Sequence, residues 1–86
     1  MAVTLSLRGE IDLANAEEFR QEVEGALRDD ADLMVDCSEL TFIDSMGIGV
    51  LWRARARLSA TGHRVYLLKV NDKVRPALDA VGLLNP

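Results

Sequence analysis

The stretch DSMG, residues 44–47, places a serine hydroxyl between a carboxylate and a glycine, directly after a short apolar run. A serine in such a turn can act as a nucleophile, cap a helix or accept a phosphate. The nucleophile turn of α/β-hydrolases also requires a glycine two residues before the serine, and Ile43 occupies that position. The only histidine, His63, lies far along the chain, so no catalytic pair with Ser45 is predicted.

The sequence contains no motif for binding a cofactor or a metal ion. Gly47 and Gly49 follow the serine, but MGIGVL has neither the GK[S/T] ending nor the GxGxxG frame of nucleotide-binding loops. The one cysteine, Cys37, excludes a disulfide within the chain and a Cys/His metal cluster. We therefore predict no cofactor, no metal and no catalytic residue. Cys37, inside the apolar run LMVDC, is expected to be a buried, inert thiol in a reducing cytosol.

The net charge and the hydropathy of the chain argue against nucleic-acid binding and against insertion in a membrane. The net charge of -4 disfavours nucleic-acid binding, which needs a basic surface. No run approaches the roughly 18 apolar residues that span a bilayer, and the N-terminus lacks the basic start and apolar stretch of a signal peptide. We expect a single cytoplasmic domain over residues 1–86 that is not inserted in a membrane.

The spacing of apolar residues predicts the order β-α-β-α-β-α, which is typical of an α/β domain with a mostly parallel sheet. The predicted strands are VTLSLRG, ended by Gly9, then residues 33–37 and 64–70. The predicted helices begin after Asn15, at Ser45 and near Lys73. Glu18 is the expected capping-box partner of Asn15, and the second and third helices are expected to end near Gly62 and Gly82. Two apolar helix stripes are expected in the core: Ala16, Phe19, Val23, Ala26 and Leu27 in the first helix, and Gly47, Val50, Leu51, Ala54 and Leu58 in the second.

Ser45 lies where the predicted central strand passes into the second helix. Serine is among the best N-cap residues, so capping alone would explain it. The carboxyl end of a central strand is also where open α/β sheets expose their sites. A phosphate on Ser45 would meet free N–H groups and the positive end of the helix dipole, so the fold should tolerate it.

The outward flank of the second helix predicts a binding surface beside Ser45. On a helical wheel this flank comprises Ile48, Gly49, Trp52 and Ala56. Tryptophan is a common binding anchor, although Trp52 at the edge of the core would explain its presence equally well. The arginines of this helix are expected to form a solvated face: Arg53, Arg55 and Arg57.

Three blocks of the chain resemble consecutive blocks of a STAS domain, specifically of the bacterial anti-sigma factor antagonists: LRGEIDLANA, LMVDCSELTFIDSMGIGVL and GHRVYLLKVNDKVRPALDAVGL. The likeness runs from about Leu5 to Leu83, and its most specific part is the Asp-Ser-x-Gly-[Leu/Ile]-Gly-Val-Leu block. The resemblance implies a binding switch rather than an enzyme. Ser45 would be phosphorylated by a partner anti-sigma factor that is also a serine kinase. The unphosphorylated form would bind that kinase and release the sigma factor, and a phosphatase would reset the switch.

By similarity, Asp12 of the GEID turn lies close to the phosphoacceptor, and Asp44 sets the environment of Ser45. The partner-binding residues expected from the flank and the resemblance together are Asp12, Asp44, Met46, Ile48, Gly49 and Trp52. Met46 departs from the family pattern, which usually has a small residue there, and its bulk is expected to affect kinase access or partner choice.

A second function and an oligomeric state also follow from the resemblance. KVNDKV and LDAVGLLNP are similar to segments of the small STAS subunits of bacterial lipid-asymmetry ABC transporters, which act as scaffolds on an ATPase subunit. Compared with this family, we expect the domain to lack the extra N-terminal strand that usually pairs with VTLSLRG. Its absence would leave the first strand with a free edge, so we predict a homodimer formed through that edge.

Overall fold

A computed structural model describes residues 2–85 of the protein. The elements in chain order are β1 (Ala2–Ile11), α1 (Ala16–Ala26), β2 (Asp32–Ile43), α2 (Ser45–Ser59), β3 (Val65–Leu68) and α3 (Arg75–Ala80). The strands form one sheet in the order β1-β2-β3, and both pairs are parallel. The predicted α/β order is therefore confirmed, with β2 as the central strand.

Several element boundaries differ from the prediction. β1 continues past Gly9 to Ile11, and β2 has 12 residues where five were expected. The extensions also carry core residues, including Leu40 and Ile43, but the inward-facing positions there no longer alternate with a period of two, so apolar alternation does not mark them. β3 is shorter than predicted, with four residues. α3 begins at Arg75, so Pro76 lies in its first turn, where a missing N–H costs nothing.

β2 carries two extra residues relative to β1. The register between the two strands shifts at residues 6–8 and again at residues 9–10 of β1, and each shift adds one residue on the β2 side. Each such bulge reverses which side chains face the core. As a result, Cys37, Leu40 and Ile43 all point inward, although they follow one another at intervals of three residues and not two. The bulges thus set the direction in which the chain leaves β2 toward Ser45.

The predicted helix stripes form the core with the inward face of the sheet. All five residues of the α2 stripe are buried, and four of the α1 stripe are buried. Ala26 is half-buried at the margin. Cys37 is fully buried, as expected. Alternate residues of β2 on the opposite face, including Met34 and Asp36, are only half-buried, so helices cover one face of this sheet.

The capping box predicted at Asn15 does not form. Asn15 is the N-cap residue of α1, but its side chain makes no capping hydrogen bond. Instead, its Oδ1 accepts from the Asp12 N–H at 2.9 Å, and its Nδ2 donates to the Glu10 carbonyl at 2.8 Å. The amide therefore closes the turn after β1, and it fixes the position of Asp12.

Within residues 2–85, β1 is an edge strand. The homodimer through this edge stays a prediction, which sedimentation at high concentration would test. No helix in the same range is both long enough and apolar enough to cross a membrane.

Candidate functional site

The turn after β1 and the start of α2 lie side by side at one end of the sheet. Ile11 and Ile43 are partners in the β1–β2 ladder, and the Asp44 N–H donates to the Ile11 carbonyl at 3.0 Å. Asp12 directly follows Ile11, and Ser45 directly follows Asp44. The ladder therefore brings the segments that carry Asp12 and Ser45 together, although 33 positions separate the two residues in the sequence.

Asp44, and not Ser45, is the N-cap of α2. Its backbone is extended, and its Oδ1 accepts from the Met46 N–H at 2.9 Å and from the Gly47 N–H at 3.2 Å. The prediction that Ser45 caps this helix is therefore wrong. Ser45 is the first helical residue, it is exposed, and its hydroxyl makes no hydrogen bond to any residue from 2 to 85. Capping does not explain this side chain, so it is available for other chemistry.

Gly47 lets α2 approach the ends of the two strands. A Cβ on Gly47 would lie 2.8 Å from the Ile11 Cγ2 and 2.8 Å from the Ile43 Cγ1, which is closer than carbon atoms pack. A Cβ on Gly49 would meet only the Arg53 Nη1, at 3.6 Å, an ordinary contact. Gly47 is thus required by packing against β1 and β2, whereas packing within residues 2–85 places no such demand on Gly49.

Several large apolar side chains are exposed on α2 and on the segments that adjoin its start. Met46 is 49% exposed and Trp52 is 40% exposed, while Ile48 is half-buried and packs against the core. Sequence reasoning missed two further exposed apolar residues, Leu13 at 75% exposure and Phe42 at 47%. The available signal for Leu13 was its position, since it is an apolar residue in a turn and belongs to neither predicted helix stripe.

Trp52 contacts Arg55, which lies one helical turn further along α2. Part of the Trp52 side chain is exposed to solvent. The guanidinium of Arg55 lies 5.0 Å from the centroid of the Trp52 ring, and the Arg55 Nη1 donates to the Gly82 carbonyl at 2.9 Å. The expected solvated arginine face is therefore wrong for Arg55. Trp52 is partly covered, as a residue at the core edge would be, and partly exposed, as a binding anchor would be.

His63 lies at the other end of the sheet from Ser45. Its Nδ1 is 3.2 Å from the Oδ1 of Asp32, the first residue of β2, whereas Ser45 follows the end of that strand. Ser45 and His63 are therefore not a nucleophile and its base. In the part of the chain that the structure describes, no three His, Cys, Asp or Glu side chains are grouped to hold a metal ion.

The STAS domain family model matches residues 1–85. The chain belongs to the STAS domain family. No curated protein matches it by sequence.

Solved structures of other proteins share the fold. TM1081 from Thermotoga maritima, assigned as an anti-sigma factor antagonist, is 25% identical with a TM-score of 0.82, over 95% of this chain and 72% of its own. The anti-sigma factor antagonist SpoIIAA of Bacillus, in its unphosphorylated form, is 26% identical with a TM-score of 0.72, over 99% of this chain and 76% of its own. It is also known in a phosphorylated form. The murine anion transporter Slc26a9, 24% identical, matches 94% of this chain with 14% of its own at a TM-score of 0.76, and that likeness concerns the fold alone.

All but one of the predicted site residues of this STAS domain lie at the end of the sheet where α2 begins, and Trp52 lies at the middle of α2. Asp44, Ser45, Met46, Ile48 and Gly49 belong to the first turns of α2 and its cap, and Trp52 follows one turn later. Asp12 reaches the same end through the β1–β2 ladder. Its Oδ1 accepts from the Ala14 N–H at 3.0 Å, so its carboxylate is already held within its own turn.

Proposed function

We propose that this STAS domain is a phosphorylation-switched binding module and that Ser45 is the phosphoacceptor. In its unphosphorylated form it binds an anti-sigma factor that is also a serine kinase, and this binding releases the sigma factor. Phosphorylation of Ser45 ends the interaction, and a phosphatase restores it. The observation that carries the proposal is the Ser45 hydroxyl, which is exposed at the start of a helix whose cap is supplied by Asp44.

A phosphate on Ser45 would project into solvent, so the fold itself should change little. Asp44 already binds the N–H groups of Met46 and Gly47, and these groups are therefore not free to receive the phosphate as the sequence suggested. Asp44 would also repel it. The tolerance for phosphate thus comes mainly from the exposure of Ser45 and less from the helix terminus.

The proposed partner surface surrounds the hydroxyl on both sides. Met46 and Trp52 provide exposed apolar area, and Gly49 leaves the helix surface between them free of a side chain. Partner-binding sites commonly centre on such large side chains. A phosphate of about two negative charges in the middle of that surface would have to be desolvated on binding, which is costly without a matching cation.

Two properties of the relatives support the proposal. TM1081 and SpoIIAA are both described as anti-sigma factor antagonists, and they match most of this chain. SpoIIAA exists in phosphorylated and unphosphorylated forms, so a STAS domain of this fold accommodates a phosphate.

The test is to incubate the protein with each anti-sigma factor kinase of its source organism and Mg-ATP, and to locate any phosphate by mass spectrometry. One phosphate on Ser45 is expected, and Ser45→Ala should abolish it. Ser59→Ala is the matched control, because Ser59 is an exposed serine at the other end of the same helix. Phosphate transfer to Ser59, or transfer that persists in Ser45→Ala, would contradict the assignment.

A binding measurement distinguishes this function from that of a scaffold subunit of an ABC transporter. Ser45→Asp should bind the kinase more weakly than the unmodified protein does. A stable complex with a transporter ATPase that is insensitive to Ser45→Asp, together with no phosphorylation by any kinase, would instead favour the scaffold function.

A further inference from the structure

A groove lies between the start of α1 and the start of α2, beside Ser45. Its apolar lining consists of Leu13, Ala16, Met46 and Val50, and its volume is about 210 Å³. We call it the Arg53 groove, because Arg53 lines it together with the ion-paired side chains of Glu17 and Arg20. Leu13 and Met46 lie in this groove, and they are the two most exposed large apolar residues in the range 2–85.

The two arginines of the groove differ in their partners. Arg20 is ion-paired with Glu17 and also with Glu24, at 2.6 Å in the latter case. Those two carboxylates raise the pKa of Arg20 further above its already high value. Arg53, by contrast, makes no hydrogen bond or ion pair with any residue from 2 to 85. The groove therefore combines an apolar lining with one positive charge that has no ion-pair partner among residues 2–85.

We propose that the Arg53 groove docks a segment of the partner kinase that carries an apolar side chain next to a carboxylate. This inference rests on the function proposed above. The apolar side chain would cover Leu13 and Met46, and the carboxylate would pair with Arg53. An arginine guanidinium is well suited to such a pair, because its planar array of donors matches the two oxygens of a carboxylate.

The size and location of the groove favour a protein segment over a small molecule. Pockets for small ligands typically enclose about 300–1,000 Å³, and this groove is smaller. It is also continuous with the switch, since Met46 directly follows Ser45 and Leu13 directly follows Asp12. A partner placed on the groove would therefore also contact the phosphoacceptor.

An acidic partner segment gives phosphorylation a physical means of releasing the partner. Ser45, Gly49 and Arg53 follow one another at intervals of four residues, so they lie along one side of α2. A phosphate on Ser45 would repel a carboxylate bound near Arg53, and it would also compete for the same guanidinium. Both effects weaken the complex, whereas neither requires a change in the fold.

The test measures the affinity for the purified kinase that phosphorylates Ser45. Arg53→Glu is expected to weaken binding by about tenfold or more, with a larger loss at low salt, because it reverses the charge that meets the carboxylate. Arg57→Glu is the matched control. Arg57 lies one turn further along α2, its Nε is 3.4 Å from the Oδ1 of Asp29, and it does not line this groove. It should change the affinity by less than about twofold.

A charge exchange identifies the partner residue directly. Single Glu→Arg and Asp→Arg variants of the kinase are tested against Arg53→Glu, and one of them should restore affinity while binding the unmodified protein poorly. The inference is overturned if the kinase phosphorylates Ser45 and yet binds Arg53→Glu as tightly as the unmodified protein. If no kinase binds or phosphorylates the unmodified protein, the proposed function fails and the inference fails with it. Urea unfolding of each variant excludes a loss of fold as the cause.

Discussion

The side-chain amide of Asn71 donates a hydrogen bond to the backbone carbonyl of Leu40 at 2.7 Å. The same Nδ2 reaches the carbonyl of Cys37 at 3.2 Å. β3 has already ended at Leu68, whose ladder partner is Asp36, so the β2–β3 ladder does not extend to these carbonyls of β2. Asn71 thus takes the place of a strand along the bulged part of β2, and that part leads to Ser45.

We therefore predict that Asn71→Ala lowers the free energy of unfolding by about 1–3 kcal/mol, because it removes the side-chain donor to the carbonyls of Cys37 and Leu40. Urea denaturation measures the change. Asn71→Asp separates the two roles of this side chain, since it keeps the acceptor for the Lys73 N–H and removes the donors. A stability of Asn71→Asp equal to that of the unmodified protein would show that the carbonyl contacts do not matter.

Alanine at the two glycines of α2 should have opposite effects on stability. Gly47→Ala places a methyl group 2.8 Å from carbons of Ile11 and Ile43, so a loss of about 1–3 kcal/mol is expected. Gly49→Ala has room for its methyl group and should gain about 0.5–1 kcal/mol from the higher helix propensity of alanine. Thermal and urea unfolding of the pair test both signs, and a destabilised Gly49→Ala would contradict the packing described for α2.

Acid should weaken the fold partly through Asp32. The N–H of Arg64 and the nearby His63 lower the pKa of Asp32 below its ordinary value of 3.8, although burial opposes them. Since the folded pKa is the lower one, the ionised carboxylate stabilises the fold above pH 3.8, and this contribution is lost as the pH falls through the folded pKa.

Asp32→Asn should therefore lose less stability than the unmodified protein when the pH is lowered from 7 to about 3. Urea unfolding at the two pH values provides the comparison. Asp30→Asn, at an exposed aspartate in the turn before β2, is the matched control and should retain the acid sensitivity of the unmodified protein. Equal acid sensitivity of Asp32→Asn and Asp30→Asn would refute the role given to Asp32.

Cys37 should resist thiol reagents in the native protein. Burial, with a smaller effect from the charge of Asp36, raises the pKa of its thiol to about 11, so little thiolate is present at pH 8. A chromogenic disulfide reagent should react with Cys37 only when urea unfolds the chain. In Ser38→Cys, the added thiol at an exposed position should react at once. Rapid reaction of native Cys37 would show that the core opens more readily than its packing suggests.

The parts of the fold that were predicted correctly depend on local periodicity. The α2 stripe was correct because a buried helix face repeats every three or four residues, as Gly47, Val50 and Leu51 do. The cap of that helix was wrong because Asp44 and Ser45 are both good caps, and apolar spacing does not fix a helix start to one residue.

The missed features of the site depend on contacts between distant parts of the chain. Asn71 is 31 residues from Leu40. Its amide donates to the Leu40 carbonyl at a point where β3 has already ended, at Leu68. Arg53 and Leu13 line one groove because α1 and α2 pack together. No local pattern in the sequence predicts which residues of the two segments come into contact. The amide of Asn15 likewise bonds to the Glu10 carbonyl instead of α1, because the turn after β1 brings that carbonyl close.

The central claim is that a negative charge on Ser45 acts on the partner and leaves the protein's own fold intact. The most direct measurement compares Ser45-phosphorylated with unphosphorylated protein, by urea unfolding and by titration with the kinase that phosphorylates it. The account predicts closely similar unfolding free energies and at least about tenfold weaker binding of the phosphorylated form. Undiminished binding, or weaker binding that accompanies an equally large loss of fold stability, would contradict it.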